Sequence, residues 1–583
     1  MENPSIPVQP FGKIALSCSG GGYRAASFHL GSMCYLNHAM YDDVPLLEHV
    51  KMISTVSGGT ITGMVYAQKK QQGASFEEFY HFLLDKLNGI DLLKVGIERL
   101  NPTSVWPHPY KNKNLINVFA EQYDREFTGA GLMSDFSIMT SHLEAVVFNC
   151  TEFEHGVNFR FRNPGLRQSG NFYNRIPSSQ LKEVKLSDVM AASSCFPGGF
   201  EPMRWPNDFA HDDAPQLSAQ IEEDLLNGVK PLGVMDGGIY DNQGIDSILR
   251  YKEDADPPYF DLIIISDVAS PDMTAYVPFA EKPKTGLRTL TLKAVKKWIK
   301  AINVLVDIIL WLIMLVGFLV PLLFRTGGTW VTGACWAIAG MASMILIGKA
   351  VLLMKLHKIA YGLLLKVRNV IPPFFLKRLA NFNVGELSLH RVEPLLMDRI
   401  NSLLTLLTSV FLKVVRRLNY NRLYEHEDYK YRRFSSLIKC LTRSNFAADL
   451  SNVTTAPAAS MLTTPAANKK QSFFRGNYAK DIGPKIQLVV EEAAAFGTTL
   501  WFTEQEKMDE VLRKLVASGQ ITMCYNLILY LEQLMFSRDK GYEGLDVATQ
   551  DKLQALYERC IADWMSFKDN PMFLVDGMAQ KGH

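Results

Sequence analysis

The sequence lacks several features that would assign a class at once. Its 583 residues include eight cysteines but no CxxC pair, so neither a zinc spacing nor a disulfide framework is indicated, and a reducing compartment is favoured. The 61 basic and 59 acidic residues leave a net charge of +2, which excludes a globally basic nucleic-acid binder and an acidic disordered protein. The N-terminus lacks a basic start followed by a long apolar run, so we expect no cleaved secretory signal.

Apolar residues, in contrast, are abundant. They make up 48% of the chain, and the mean hydropathy of +0.01 is high for a soluble protein of this size. Residues 301–324 and 330–354 form two runs that contain one charge each, Asp307 and Lys349. Both runs exceed the roughly 20 residues that a helix needs to cross a bilayer. We therefore predict a two-helix transmembrane hairpin; the alternative is a pair of buried core helices.

Flanking charge orients this hairpin. Basic residues precede it at Lys293, Lys296, Lys297 and Lys300, follow it at Lys355, Lys358, Lys366 and Arg368, and occur once in the turn 325–329, at Arg325. Because positive residues favour the cytoplasmic side, we expect an integral membrane protein with two spans and with both soluble regions in the cytoplasm. Asp307 and Lys349 can pair between the helices or reach the membrane interface.

The N-terminal half has the pattern of a parallel α/β fold. Apolar strands are predicted at 13–17, 50–56, 233–235 and 260–266, and the first two lead through glycine-rich turns into helices. Consecutive glycines at a helix start, here Gly20 to Gly22, expose backbone N–H groups and form an anion site. The GK[ST] ending of a nucleotide-binding P-loop is missing.

Two further segments carry candidate chemistry. Ser57 stands between a strand and a helix and is followed by the small residues Gly58 and Gly59, as in a nucleophile elbow, although Thr55 replaces the first glycine of G-x-S-x-G. Asp236-Gly237-Gly238 follows a strand and can place a carboxylate beside a serine. The alternative is that both segments are turns without chemistry, and Asp241 and Asn242 are predicted turn formers.

In this order the segments resemble the patatin-like phospholipase family. That family has a G-G-G-x-[RK]-G loop, a serine elbow and a D-G-[GA] aspartate; here Gly20 to Arg24 match and Ala25 replaces the last glycine. Residues 192–202 are similar to the family's A-S-x-A-x-P-x-x-F-x-P block, with Cys195 for the second alanine. The resemblance covers roughly residues 10–270. The rest of the chain resembles bacterial members that carry a membrane insertion.

The resemblance implies a fold and a mechanism. The fold is a three-layer α/β/α core with a mostly parallel sheet. Ser57 would be the nucleophile and Asp236 its base, in a dyad without histidine. The N–H groups of Gly20, Gly21 and Gly22 would form the oxyanion hole. Arg24 would hold the glycine loop or contact a phosphate, and no metal or organic cofactor is implied. A histidine-containing triad is the alternative; the histidines after the aspartate are His357, His390, His426 and His583.

These features predict a membrane-anchored serine acyl hydrolase, similar to a phospholipase A or lysophospholipase. Its substrates would be membrane lipids, its partner the bilayer, and nucleic acid is not expected. A catalytically weak membrane scaffold or regulatory protein is the alternative, suggested by Thr55 and Ala25. An intramembrane serine protease is disfavoured, because two spans are too few to bury a peptide-cleaving site.

We predict three parts of the chain: a patatin-like catalytic core at 1–285, the hairpin at 286–368, and a mainly helical C-terminal region at 369–583. A flexible loop is expected at 449–472, around a stretch rich in alanine, threonine, serine and proline.

Overall fold

The computed structural model describes residues 6–89, 91–101, 103–164, 168–269, 277, 279, 285–323, 329–370, 386–446, 473–536 and 541–581. The chain forms two compact units. Met1–Met273 and Thr408–His583 make the first unit, and Thr274–Leu407 make the second.

A mostly parallel sheet organises the first unit. Its strands are β1 Ile14–Cys18, β4 Val50–Val56, β5 Ala145–Glu152, β6 Val157–Arg162, β7 Ser169–Gly170, β8 Arg175–Ile176, β9 Met203–Trp205, β10 Leu232–Asp236, β11 Leu262–Asp267 and β12 Arg433–Leu437; the short pair β2 Met40–Tyr41 and β3 Val44–Pro45 lies apart. The order is β12-β11-β1-β4-β5-β6-β7-β8, and the first five strands are parallel. Strand β10 pairs antiparallel with β5, and β9 pairs with β10. The predicted fold class is confirmed. The four strands predicted from the sequence correspond to β1, β4, β10 and β11, whereas β5, β6 and β12 are among those not predicted; β12 is added at the sheet edge by the C-terminal region.

Helices cover both faces of this sheet. Before the second unit they are α1 Gly22–His38, α2 Gly58–Gln71, α3 Phe76–Gly89, α4 Leu92–Arg99, α5 Leu115–Tyr123, α6 Ser178–Glu183, α7 Leu186–Ser194, α8 Pro215–Leu226, α9 Gly238–Asp241 and α10 Ile245–Leu249. The second unit holds α11 Leu292–Leu323, α12 Thr329–Val370 and α13 Leu389–Thr405. After it come α14 Phe411–Tyr424, α15 Phe473–Asn477, α16 Pro484–Ala495, α17 Glu504–Met508, α18 Val511–Phe536, α19 Val547–Asp569 and α20 Phe573–Lys581. The larger core lies under α1, α2, α7 and α18, and a smaller core lies on the other face under α10 and α14.

Helix α18 lies directly against α1, the helix that follows the glycine loop. A Cβ on Gly31 would lie 1.9 Å from Val516 O, and a Cβ on Gly519 would lie 2.1 Å from Phe28 O. Both distances are far below van der Waals contact, so the two backbones touch only because neither glycine has a side chain. The C-terminal region therefore packs on the N-terminal α/β core through a direct backbone contact. A residue larger than glycine at position 31 or 519 would force the two helices apart.

The second unit contains two long apolar helices that pack against each other. Helix α11 and the 330–358 part of α12 reach mean hydropathies of 2.6 and 2.0 over their most apolar 18 residues, of which only 6% and 11% are buried. Both helices are long and apolar enough to cross a membrane, and their exposure contradicts the alternative of buried core helices. Lys349 Nζ donates to Asp307 Oδ1 over 2.6 Å, so the opposite charges pair between the helices.

The predicted three-part division at 1–285, 286–368 and 369–583 stays a prediction. The structure groups residues 408–583 with the N-terminal residues 1–273 in one unit. The predicted flexible loop at 449–472 and residues 325–328 of the predicted turn lie outside the described residues.

The α1–α18 contact predicts that Gly519→Ala destabilises the first unit. Because the new methyl group would meet the Phe28 carbonyl, we expect a loss of about 1–3 kcal/mol in the free energy of unfolding, seen as a lower melting temperature by intrinsic fluorescence. Gly577→Ala in α20 is the matched control, since a Cβ there meets nothing within 4 Å. Its melting temperature should stay the same or rise slightly. Equal losses in both variants would contradict the close contact.

Candidate active site

Ser57 and Asp236 meet because β4 and β10 approach each other end to end beside β5. Strand β4 ends with Val56 opposite Asn149. Strand β10 runs in the opposite direction and ends with Asp236 opposite Cys150, the next residue of β5. Each side chain thus stands where its strand ends, and the pairing with one common strand sets their separation.

The backbone at Ser57 is strained, as expected of a nucleophile elbow. Its φ of 51° and ψ of −123° lie in a region that L-residues rarely adopt. The Ser57 N–H donates to Ser193 Oγ over 3.0 Å, and this hydroxyl donates in turn to Asn149 O over 2.8 Å. A Cβ on Gly58 would lie 2.0 Å from Gly22 O. The turn therefore closes only with a glycine after the serine.

The structure explains how the elbow accommodates Thr55. The Thr55 side chain is fully buried, and its Cγ2 lies 2.4 Å from the position that a Cβ on Gly63 would occupy. Its Oγ1 lies 2.9 Å from Thr60 Oγ1, which lies 2.8 Å from Ser193 Oγ. A glycine on α2 thus makes room for the larger residue on β4, and the threonine hydroxyl joins the hydrogen bonds that hold the elbow.

Asp236 is a buried carboxylate with few partners. The residue is 5% exposed, and its Oδ1 accepts a hydrogen bond of 2.7 Å from the Gly238 N–H. Burial raises the pKa of Asp236 to about 6, although the Gly238 N–H and the nearby Ser57 hydroxyl act to lower it. No histidine is among the groups that bond Ser57 or act on this pKa within the described residues.

The predicted oxyanion glycines differ in their surroundings. The Gly20 N–H donates to Asn242 O over 3.0 Å, so it is already used to hold the Asp236–Asn242 segment. Among the described residues, the N–H groups of Gly21 and Gly22 have no such acceptor. A Cβ on Gly20 would lie 3.0 Å from Ser57 Cβ, which places the loop directly beside the serine. Gly21 and Gly22 are therefore the better donors toward a group bound at Ser57.

Arg24 contacts the C-terminal region. Its Nη1 donates to Phe496 O over 2.9 Å, and the neighbouring Tyr23 N–H donates to Thr499 O over 2.8 Å. These bonds favour the interpretation that Arg24 holds the glycine loop over the interpretation that it contacts a phosphate. Ala25 is buried in the first turn of α1, where its N–H donates to Gly21 O over 3.3 Å.

A second buried aspartate, Asp267 at the end of β11, joins the C-terminal region to the segment after Asp236. Arg416 of α14 donates to Asp267 Oδ2 from Nε at 3.1 Å and from Nη2 at 2.8 Å. The same oxygen accepts from Tyr420 Oη at 2.9 Å and from Gln243 Nε2 at 3.2 Å. Burial acts to raise the pKa of Asp267, but the Arg416 charge and the accepted hydrogen bonds hold it below its ordinary value.

Several residues of this arrangement were not predicted from the sequence. Ser193 lies in the 192–202 block that was recognised, but its contact with Ser57 was not foreseen. Asn149 lies in β5, and its amide donates to Ser54 Oγ and Thr55 O at 3.0 Å each. Arg416 lies 149 residues from Asp267 along the chain, and no local pattern in the sequence links the two residues. A separate cluster, Glu152, Glu154 and His155, has potential metal ligand atoms within 4.8 Å, and we assign no metal to it.

A serine at a strained strand-to-helix turn, close to a buried carboxylate in a mostly parallel α/β fold, is typical of serine hydrolases. Residues 16–249 match the family model described as patatin-like phospholipase, so this part of the chain is a patatin-like phospholipase domain. The match supports lipid hydrolysis as the general class of activity.

Two other comparisons add little to this assignment. The solved structure of human GIVD cytosolic phospholipase A2 is 13% identical over 44% of this chain and 46% of that chain, with a TM-score of 0.29. The chain thus spans under half of that protein, and the likeness is too slight to bear on function. A search of curated proteins found no match.

The two buried aspartates predict opposite effects of removing their charge. Between pH 4 and 6 the folded state keeps a proton on Asp236 that the unfolded chain has released, so folding stability falls as pH rises through this window. Asp236→Asn should therefore raise the free energy of unfolding at pH 8 by up to about 3 kcal/mol, for a pKa moved from 3.8 to about 6. This gain should shrink toward pH 4.

Asp267→Asn is the matched control, because the same substitution there leaves the buried Arg416 charge without its partner. We expect it to lose about 3–5 kcal/mol. Melting temperatures of the full chain between pH 4 and 8 report both effects. A lower melting temperature for Asp236→Asn at pH 8 would contradict the conclusion that the charged form of Asp236 destabilises the folded state.

Proposed function

We propose that the chain is a membrane-anchored serine acyl hydrolase that cleaves ester bonds of phospholipids or lysophospholipids. The observation that carries this proposal is the placement of Ser57, at a strained turn, beside the buried carboxylate of Asp236 where β4 and β10 end against neighbouring residues of β5. The patatin-like domain at 16–249 supports lipids as the substrate class.

The proposed reaction proceeds through an acyl-enzyme. Ser57 Oγ attacks the ester carbonyl carbon while Asp236 takes the hydroxyl proton, because a serine hydroxyl is a weak nucleophile without an adjacent base. The tetrahedral intermediate carries a negative oxygen that the Gly21 and Gly22 N–H groups stabilise; one such donor is typically worth about 2.7–4 kcal/mol. The alcohol of the lipid leaves with the proton from Asp236. Water, deprotonated by Asp236, then releases the fatty acid from Ser57.

The pKa of Asp236 suits this role. A general base works best when its pKa lies near the operating pH, because it is then both ionised and able to hold a proton. Burial raises the pKa of Asp236 to about 6, within reach of neutral pH, whereas an ordinary aspartate is a weaker base. The rate of hydrolysis should therefore rise with pH up to about 6 and stay constant at higher pH, where Asp236 is ionised.

The membrane part of the proposal rests on α11 and α12. Both are long and apolar enough to span a bilayer, and basic residues flank the ends of their apolar runs that lead to the rest of the chain. We propose two spans with both large regions in the cytoplasm. A catalytic domain tethered to the bilayer meets lipid substrates at high effective concentration.

The activity is tested by fatty-acid release from mixed phospholipid vesicles with the detergent-purified full chain. Ser57→Ala should reduce the rate by about 10³-fold or more while the melting temperature stays unchanged. Asp236→Asn should reduce it similarly although it stabilises the fold. A fluorophosphonate probe, which reacts only with an activated serine, should label the wild type and not Ser57→Ala. A folded, unreactive wild type without fatty-acid release would favour the alternative, a membrane scaffold on a patatin-like fold.

The topology has its own test in intact cells that express the chain. A cysteine introduced by Gly327→Cys should react with an impermeant maleimide from outside. A cysteine introduced by Lys300→Cys should react only after the membrane is permeabilised. Both proteins should resist extraction by alkaline carbonate. The reverse labelling pattern, or release by carbonate, would contradict the proposed hairpin.

A further inference from the structure

His29 is a fully buried histidine that the proposed reaction does not use. It lies in α1, the helix that begins at Gly22, and its exposure is 0%. Its Nε2 lies 2.9 Å from Ser19 O, and its Nδ1 lies 2.7 Å from Ser266 Oγ. The helix that follows the glycine loop therefore places a side chain against the residue that precedes this loop.

The surroundings of His29 define its protonation state. Burial lowers the pKa of His29 to about 4, although the bond to Ser19 and the charge of Asp267 oppose the shift. A carbonyl oxygen only accepts hydrogen bonds, so the Nε2–H donates to Ser19 O. In this neutral ring Nδ1 accepts from the Ser266 hydroxyl, whose oxygen lies 3.0 Å from Ser32 Oγ. Both ring nitrogens are thus used in hydrogen bonds within the core.

The Ser19–Gly20 peptide is held at both of its polar atoms. His29 donates to its carbonyl oxygen over 2.9 Å, and its N–H, that of Gly20, donates to Asn242 O over 3.0 Å. A buried peptide group needs a partner for each of these atoms. The peptide therefore cannot rotate without losing one of the two bonds.

The other side of the glycine loop is held by backbone. The Tyr23 N–H donates to Thr499 O over 2.8 Å, and a Cβ on Gly21 would lie 2.6 Å from Val268 Cγ2. Gly21 and Gly22 lie between the two anchors, and their N–H groups have no such acceptor among the described residues. The directions of these two N–H groups thus depend on how the flanking peptides are fixed.

We infer that His29 is a positioning residue: by fixing the Ser19–Gly20 peptide, it directs the next two N–H groups of the loop toward a group bound at Ser57. Without the imidazole, the Ser19 carbonyl would be buried without its donor, and the peptide would turn toward another partner. An oxyanion hole acts through donors that are oriented before the reaction, so a rotated loop loses transition-state stabilisation. The effect on catalysis rests on the proposed function, whereas the fixing of the loop does not.

The first test measures fatty-acid release from mixed phospholipid vesicles by the detergent-purified full chain over a range of lipid concentrations. His29→Leu should lower kcat about tenfold or more with little change in KM, because the oxyanion forms only in the transition state. His29→Gln should restore most of the lost kcat, since its amide offers one donor and one acceptor as the neutral ring does. An unchanged kcat in His29→Leu, or a loss that appears in KM alone, would overturn the inference.

Gln68→Leu is the matched control for a general loss of stability. Gln68 is buried near the end of α2 that is distant from Ser57, and its Nε2 donates to Thr128 O over 2.8 Å. Both leucine variants leave a buried carbonyl without its donor, so both should lower the melting temperature. Only His29→Leu should lower kcat. A comparable loss of kcat in Gln68→Leu would show that His29 merely contributes to stability, and would overturn the inference.

Hydrogen exchange measured by mass spectrometry tests the loop without any substrate. The Ser19 N–H donates to Ser266 O over 3.1 Å, and the Gly20 N–H is bonded as described above. In peptides that cover residues 16–24, these two groups should exchange about two- to tenfold faster in His29→Leu, the range for one lost hydrogen bond. Gln68→Leu should exchange there at the wild-type rate.

The two measurements separate this inference from the proposed function. A wild type that releases no fatty acid contradicts the proposed function, and the exchange rates still decide whether His29 fixes the loop. Unchanged exchange at residues 16–24 in His29→Leu, or equally faster exchange in both leucine variants, would overturn the inference even if the wild type is active.

Discussion

The ion pair between Asp267 and Arg416 is the interaction on which the arrangement of the first unit depends. Both side chains are buried, at 0% and 4% exposure, so neither charge can be left alone without a large desolvation cost. Asp267 ends β11, Arg416 belongs to α14, and Gln243, bonded to the same carboxylate oxygen, belongs to the segment that follows Asp236. Three stretches far apart in the sequence are thus held at one point, and the position of the proposed base depends on a helix outside the patatin-like domain.

The two buried aspartates show how neighbouring groups decide the pKa of a carboxylate. Asp267 is paired with a guanidinium and three other donors, so its pKa stays low and its charge contributes to stability. Among the described residues no cation acts on the pKa of Asp236; the Gly238 N–H donates to its carboxylate, and burial raises its pKa to about 6. A carboxylate that stabilises the fold needs compensation, whereas a carboxylate that serves as a base must remain partly uncompensated. The difference in their neighbours, rather than in burial, separates the two roles.

The elements that were predicted from the sequence are those that depend mainly on neighbouring residues along the chain. The strands at 50–56 and 260–266 and the glycine turns after β1 and β4 follow from apolar runs and from the demand of a tight turn for small residues. Strand β12 was missed because it lies in a helical region and is a strand only through its pairing with β11. The partners Ser193 and Arg416 were missed for a similar reason: their roles depend on contacts 136 and 149 residues away along the chain. Long-range contacts of this kind leave no periodic signal in the sequence.

The position of the second unit in the chain follows from the same topology. Residues 274–407 are inserted after β11 has ended and before α14 and β12 return to the sheet. Closing a long loop costs little more than closing a short one, so an insertion between two elements that are bound to each other is tolerated if their contacts are strong. Here those contacts are the Asp267–Arg416 pair and the parallel pairing of β11 with β12. The elements that close the insertion are also those that hold the segment after Asp236. The patatin-like match at 16–249 therefore covers Ser57 and Asp236 but not the whole structure that positions them.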